Sequence, residues 1–211
     1  MTTAAWVLLG LTAAVGLVDW GAVARDARPV EYVAKPLTLA LLIGVAATLD
    51  PHDPAVRAWF VVALVLSLAG DVFLMLPSDR FIAGLAAFLA GHIAYVIGML
   101  VDGVEAVPVA IGVAVVAAAA VVVGRPLVRG VRHRGPALLG PVIAYIGVIS
   151  AMLVCAIGTG RGLAIAGALS FYVSDALLGW GRFVRRLPGG RIGVMVTYHL
   201  GQALLVLSLA S

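Results

Sequence analysis

Eight apolar stretches almost free of charge recur along this chain, at residues 4–20, 33–49, 58–76, 81–101, 106–123, 137–157, 162–180 and 192–210. A helix rises 1.5 Å per residue, so roughly 18 such residues cross a hydrocarbon core of about 30 Å. The backbone of a lipid-exposed segment must satisfy its own hydrogen bonds, which leaves the helix as the form these stretches can take. The expected fold is therefore an all-α integral membrane protein, a bundle of about eight transmembrane helices. The first stretch has the length of a signal sequence but no basic leader, and seven more follow, so it is expected to stay as a helix.

No segment between the stretches is long enough to fold separately, so residues 1–211 are expected to form a single transmembrane domain. Composition agrees: 63% of residues are hydrophobic, 11% are charged and mean hydropathy is +1.14. Soluble domains are nearer half apolar and a quarter charged, and disordered chains are poorer in apolar residues still. The formal net charge of +4 points to topology rather than to nucleic acid. Arg25, Arg28, Lys35, Arg80, Arg125, Arg129, Arg132, Arg134, Arg182, Arg185, Arg186 and Arg191 fall at the loops after the odd-numbered stretches, and only Arg57 and Arg161 at the others. By the positive-inside rule the odd-numbered loops are expected in the cytoplasm of a cell with the protein in its inner membrane, and both termini outside. No nucleic-acid partner is expected.

The single Cys155 lies inside the sixth stretch, so no intrachain disulfide and no cysteine-based zinc site can form, and it reads as a small apolar filler. The informative residues are ionisable ones inside the spans, because an aspartate at mid-bilayer costs about 2.5–3.5 kcal/mol on insertion scales. They are Asp71 in SLAGDVFLML, Asp175 in FYVSDALLGW, His92 in GLAAFLAGHIAY and His199 beside Tyr198 in VTYHLGQ. Asp19 and Lys35 lie near span ends, where interfacial exposure or snorkelling is the simplest account. Asp71 and Asp175 each precede the same end of a span by five residues, about 8 Å by the helical rise. Tyr198 enters from that side to a similar depth, with Gln202 one turn deeper, and His92 is close to the midplane. Turned inward, these residues make a polar pocket under one interface.

A weak repeat pairs the aspartates. Lys35-Pro36 precedes Gly70-Asp71 much as Gly140-Pro141 precedes Ser174-Asp175, and each aspartate opens a D-x-x-L step ending at Leu74 or Leu178. Two four-helix parallel repeats would give this pattern. Each polar residue also has a plainer role, hydrogen bonding across helices, and the Gly and Ala stripes are helix contacts first. A metal site built from Asp71, Asp175, His92 and His199 lacks the tight His pair or Glu-x-x-His spacing, and neither metal nor cofactor is expected. A small transporter or lipid-binding protein using the aspartates for proton or cation coupling is the alternative class, and Pro36 and Pro141 would then mark helix breaks.

Taken in order, Lys35-Pro36, SLAGDVFLML, the series Phe81, Gly84, Leu85, Phe88, His92, Tyr95, then Ser174-Asp175 with Leu178, and Thr197-Tyr198 with Gln202, resemble the YhhN family of multi-span lysoplasmalogenases. One departure is His199, where the family pattern favours an aromatic residue. The resemblance implies hydrolysis of the vinyl ether bond of a lysoplasmalogen, an ethanolamine or choline lysophospholipid, to a fatty aldehyde and a glycerophospho-base. Vinyl ethers hydrolyse by protonation on carbon, so the reaction needs one carboxylic acid and one carboxylate. Two buried carboxyl groups in different surroundings can divide those roles, and Asp71 and Asp175 are the expected catalytic pair. Lys35 or a loop arginine would meet the lipid phosphate, Tyr198 and Gln202 would orient water or a glycerol hydroxyl, His92 would support an aspartate, and Tyr95 and Ser174 complete the supporting set. The expected partners are the lysophospholipid substrate and membrane lipids.

Overall fold

The computed structural model describes residues 2–51, 53–78 and 80–210. Among the described residues eight helices are long and apolar enough to cross a membrane: α1 Thr3–Ala24, α2 Arg28–Thr48, α3 Pro54–Met75, α4 Phe81–Asp102, α5 Ala106–Arg134, α6 Pro136–Gly158, α7 Gly162–Phe183 and α8 Gly190–Ala210. No strand occurs among those residues. The starts follow local chemistry. Thr2 caps α1 by accepting from the Ala5 amide at 3.1 Å, and Asp53 caps α3 by accepting from the Ala55 amide at 2.7 Å with Pro54 at the first position.

Several helices outrun their apolar cores. α2 begins at Arg28, where hydropathy alone starts the span at residue 33, because Arg28 and Glu31 find ionic partners and need not leave the helix. α5 continues through the arginines to Arg134, and Pro126, which has no amide hydrogen to give, follows a five-residue π segment at Ala120–Gly124. α2 runs unbroken through Pro36, and Pro141 sits in the first α-helical turn of α6, just after the 3-10 turn Pro136–Leu138 that opens it, so neither proline breaks a span.

Successive helices pair as antiparallel hairpins, most closely α1 with α2, α3 with α4 and α7 with α8. α8 is central and α5 peripheral: 56% of the most apolar window of α8 is buried inside the bundle, against 6% for α5. The two ends of the bundle differ. At the end poor in arginine, Arg161 donates to Asp102 at 2.8 Å and to the Ser208 carbonyl at 3.2 Å, tying α4, α7 and α8 together. The arginine-rich end instead opens into a cavity.

Candidate functional site: two aspartates on one cavity

The cavity holds about 610 Å³ and is lined from α2, α3, α4, α7 and α8. Lys35, Asp71, Ser174, Asp175 and Tyr198 reach it, and Arg28, Arg182, Arg186 and Arg191 ring its mouth beside Glu31. Asp71, on the last full turn of α3, is buried. Its Oδ1 lies 2.9 Å from Lys35 Nζ and its Oδ2 accepts from the Tyr198 hydroxyl at 2.7 Å. Lys35 is itself buried, so it forms an internal ion pair and does not snorkel to the interface. A buried pair of this kind keeps its charges only because each answers the other.

Asp175 is held without a cation. Its Oδ2 accepts from the Tyr145 hydroxyl at 2.5 Å, and His92 Nε2 stands 3.7 Å from the same oxygen. His92 Nδ1 donates to the Phe88 carbonyl at 2.7 Å, the only role a carbonyl permits it, so in the neutral ring Nε2 presents its lone pair to Asp175. A proton at one of these two groups is what lets a lone pair and a carboxyl oxygen face each other.

Interlocked rings connect the residues that hold the two carboxyl groups. Phe88 and Phe171 pack edge-on against Tyr198 at 5.8 and 5.3 Å, and His92 packs against Phe171 and Tyr145 at 4.6 and 5.3 Å. Gly70 makes room for this, because a Cβ there would lie 2.6 Å from the Phe88 ring. The hydroxyl of Ser174 donates to the Val194 carbonyl at 3.0 Å and so joins α7 to α8 at the cavity wall.

Three of the expected residues stand behind the cavity rather than in it. Tyr95 donates to Gln202 Oε1 at 2.5 Å, one turn beyond Tyr198, and His92 backs Asp175. Gln202 instead lines a separate groove with His199, whose Nδ1 accepts from the Trp20 indole at 3.0 Å. Among the described residues no three His, Cys, Asp or Glu side chains gather as metal ligands.

Two features escaped the sequence. Tyr145 is the direct partner of Asp175, and a phenol buried in a span, which needs an acceptor, was the available signal. Asp19, expected at an interface, is fully buried with neither oxygen hydrogen-bonded. It stands near the Lys35–Asp71 pair, with Lys35, Glu31, Asp71 and Arg191 as its charged surroundings. α1 continues to Ala24, a turn past the expected end, which carries Asp19 inside.

The model of the YhhN family matches residues 30–209. The chain belongs to the YhhN family. Its curated relatives include the human protein named Lysoplasmalogenase TMEM86B, 34% identical over 146 residues, which are 69% of this chain and 61% of the relative. The Mycobacterium bovis protein named Lysoplasmalogenase is 37% identical over 153 residues, 70% of this chain and 58% of the relative. The chain thus spans about three fifths of the length of these YhhN-type relatives. No solved structure matches it.

Proposed function

We propose that this protein is a membrane-embedded lysoplasmalogenase-like hydrolase that cleaves the vinyl ether of a lysoplasmalogen between Asp71 and Asp175. The observation that carries the reading is that both aspartates line one cavity whose mouth is cationic, each with its own phenol donor. The names of the relatives support the same chemistry. The distribution of arginines supports a cytoplasmic arginine-rich end, and a cavity just under that interface is at the right depth for a lysolipid's glycerol.

The two environments support a division of roles. Asp175, with no cation beside it, is the acid: it delivers a proton to the outer alkenyl carbon, and the former double-bond electrons form that C–H bond. The inner carbon and ether oxygen then share an oxocarbenium charge. Asp71, paired with Lys35, keeps its negative charge toward this cation and takes a proton from the water that attacks the inner carbon. The resulting hemiacetal gives its hydroxyl proton to Asp175 while its ether oxygen takes the proton held on Asp71, which returns both carboxyl groups to their starting states. The C–O bond breaks, releasing a fatty aldehyde and the glycerol hydroxyl. Tyr145 and Tyr198 hold the carboxyl groups in register, and Lys35 or the mouth arginines meet the phosphate.

The test is aldehyde release from an ethanolamine or choline lysoplasmalogen by the purified protein in detergent, beside Asp71→Asn and Asp175→Asn. Wild type should turn over, and each variant should lose a factor of about 10² to 10⁴, the usual contribution of a general acid or base. Full activity in both folded variants would refute the mechanism.

A further inference from the structure

On its far side Asp175 borders a second space. An apolar crevice of about 70 Å³ lies between α4, α5, α6 and α7, and Asp175, Leu74, Phe81, Phe88 and Leu178 line both it and the polar cavity. The carboxyl therefore stands at the seam between a cationic chamber and an apolar one. The outer wall of the crevice is the π segment of α5, through Val123 and Gly124, with Leu127 one turn on.

α5 closes on α7 chiefly at its arginine-rich end. There Gly130 approaches so closely that a Cβ on it would overlap the Phe183 carbonyl oxygen. A small cluster of Phe81, Leu127, Val131, Val142 and Phe183 seals that end. Along the apolar length, α5 rests chiefly on α6 and leaves the flank toward α7 open, with the rim residue Leu178 exposed. Gly124 leaves room for a side chain, since an added Cβ would meet only Ala120 Cβ, at an ordinary contact distance of 3.8 Å. π segments interrupt helices frequently at functional sites.

We propose that this crevice is the binding site for the first carbons of the substrate's alkenyl chain, entered sideways from the bilayer between α5 and α7, with Gly124 keeping it open. The inference rests on the hydrolase reading of the adjoining cavity and deepens it. A lysolipid has one polar end and one apolar tail, and the bond to be cut lies where they join. Two chambers of opposite character meeting at one carboxyl match that layout, with the phosphate among the arginines and the reacting carbons at Asp175. The crevice is too small for a whole tail, so the remainder stays in lipid. Selection acts on the segment next to the ether, not on total length.

Two measurements test this. The first compares wild type, Gly124→Leu and Ile146→Ala on a long-chain lysoplasmalogen and on its analogue carrying only a two-carbon ethenyl group. Gly124→Leu fills the crevice and should lower turnover of the long-chain substrate about tenfold, from the lost burial of a few methylenes, while changing the ethenyl analogue by less than about twofold. Ile146→Ala, which widens the crevice, should not reproduce that split. Equal loss on both substrates, or no loss on either, overturns the proposal.

The second measurement needs no turnover. A lysolipid ether bearing a photoactivatable diazirine within its first chain carbons is irradiated with the wild-type protein in detergent. Labelling of the peptide containing residues 120–127 is expected. Labelling instead in the groove between α1 and α8, which is also apolar and is bordered by Leu17 and Leu200, overturns the crevice as the chain site. Labelling of the 120–127 peptide by a diazirine lysoplasmalogen whose vinyl ether wild type leaves intact would leave the site standing and refute the hydrolase reading alone.

Discussion

Asp71 and Asp175 line one cavity, yet they are held by different means. Asp71 has a lysine at 2.9 Å and a phenol at 2.7 Å, whereas Asp175 has a phenol at 2.5 Å and the bare edge of a histidine at 3.7 Å. One wall carries compensated charge and the other a group with nothing to compensate one. A single residue type thus sits in two electrostatic settings, because the neighbours decide which protonation state each place tolerates. Asp19 completes the contrast, being buried in the same end of the bundle with no hydrogen-bond donor at all.

The largest effect on stability is expected at the ion pair. Lys35→Met strands the Asp71 charge in the bundle and should cost about 3–5 kcal/mol, whereas adding Asp71→Asn to it should restore most of the loss without restoring turnover. Thermal midpoints in detergent for the two single variants and the double read this cycle. If Lys35→Met alone is as stable as wild type, Asp71 carries no charge that needs the lysine, and the contrast between the walls falls.

The phenols come next. Tyr145→Phe and Tyr198→Phe each remove one donor to a carboxyl group, worth about 1.5–3 kcal/mol where the acceptor is charged. Tyr198→Phe should therefore lower kcat by roughly ten- to a hundredfold. Tyr145→Phe should cost less, because its acceptor is the proposed acid rather than the proposed carboxylate. The reverse order would exchange the roles assigned to the two aspartates.

The fold was legible because crossing a bilayer leaves a coarse signature: eight apolar runs and an alternation of arginines need no knowledge of packing. The aspartates were legible for the same reason, since Asp71 and Asp175 stand out against apolar neighbours in sequence. The details that failed depend on which polar residues find partners in space. Lys35 reads as interfacial because the apolar stretch starts at residue 33, and it is internal because Arg191 takes up Glu31 at 2.7 Å and lets α2 begin at Arg28. Tyr145 was passed over because a tyrosine in a span resembles packing until its acceptor, thirty residues away, is known. Helix ends blurred where arginines extend α5 past its apolar core.

Asp19 sharpens the comparison with an effect of opposite sign. A buried carboxyl without a partner costs about 1–3 kcal/mol, so Asp19→Leu should raise the thermal midpoint while leaving turnover within a few-fold of wild type. A destabilised Asp19→Leu would mean that the Lys35–Asp71 pair depends on the third carboxyl.

The smallest effect belongs to Asp26, which lies outside the spans in the turn before α2. Hydrogen bonding to the Arg191 guanidinium, reinforced by its charge and that of Arg28, holds the Asp26 carboxyl below its usual range. A carboxyl depressed by folding contributes stability that is fully present above its ordinary value and is lost as pH falls through the lower folded value. Asp26 is largely exposed, so salt screens the contact and the contribution is small. Its backbone has φ of 55°, a conformation asparagine adopts readily, so Asp26→Asn removes the charge without straining the turn. Thermal midpoints at low ionic strength should show wild type and Asp26→Asn differing slightly at neutral pH and converging below pH ~4. Arg191 still holds Glu31 in the variant, so turnover should not change. A large loss of turnover would mean that this outer contact, and not the buried pair alone, sets the position of α8 and of Tyr198 against Asp71.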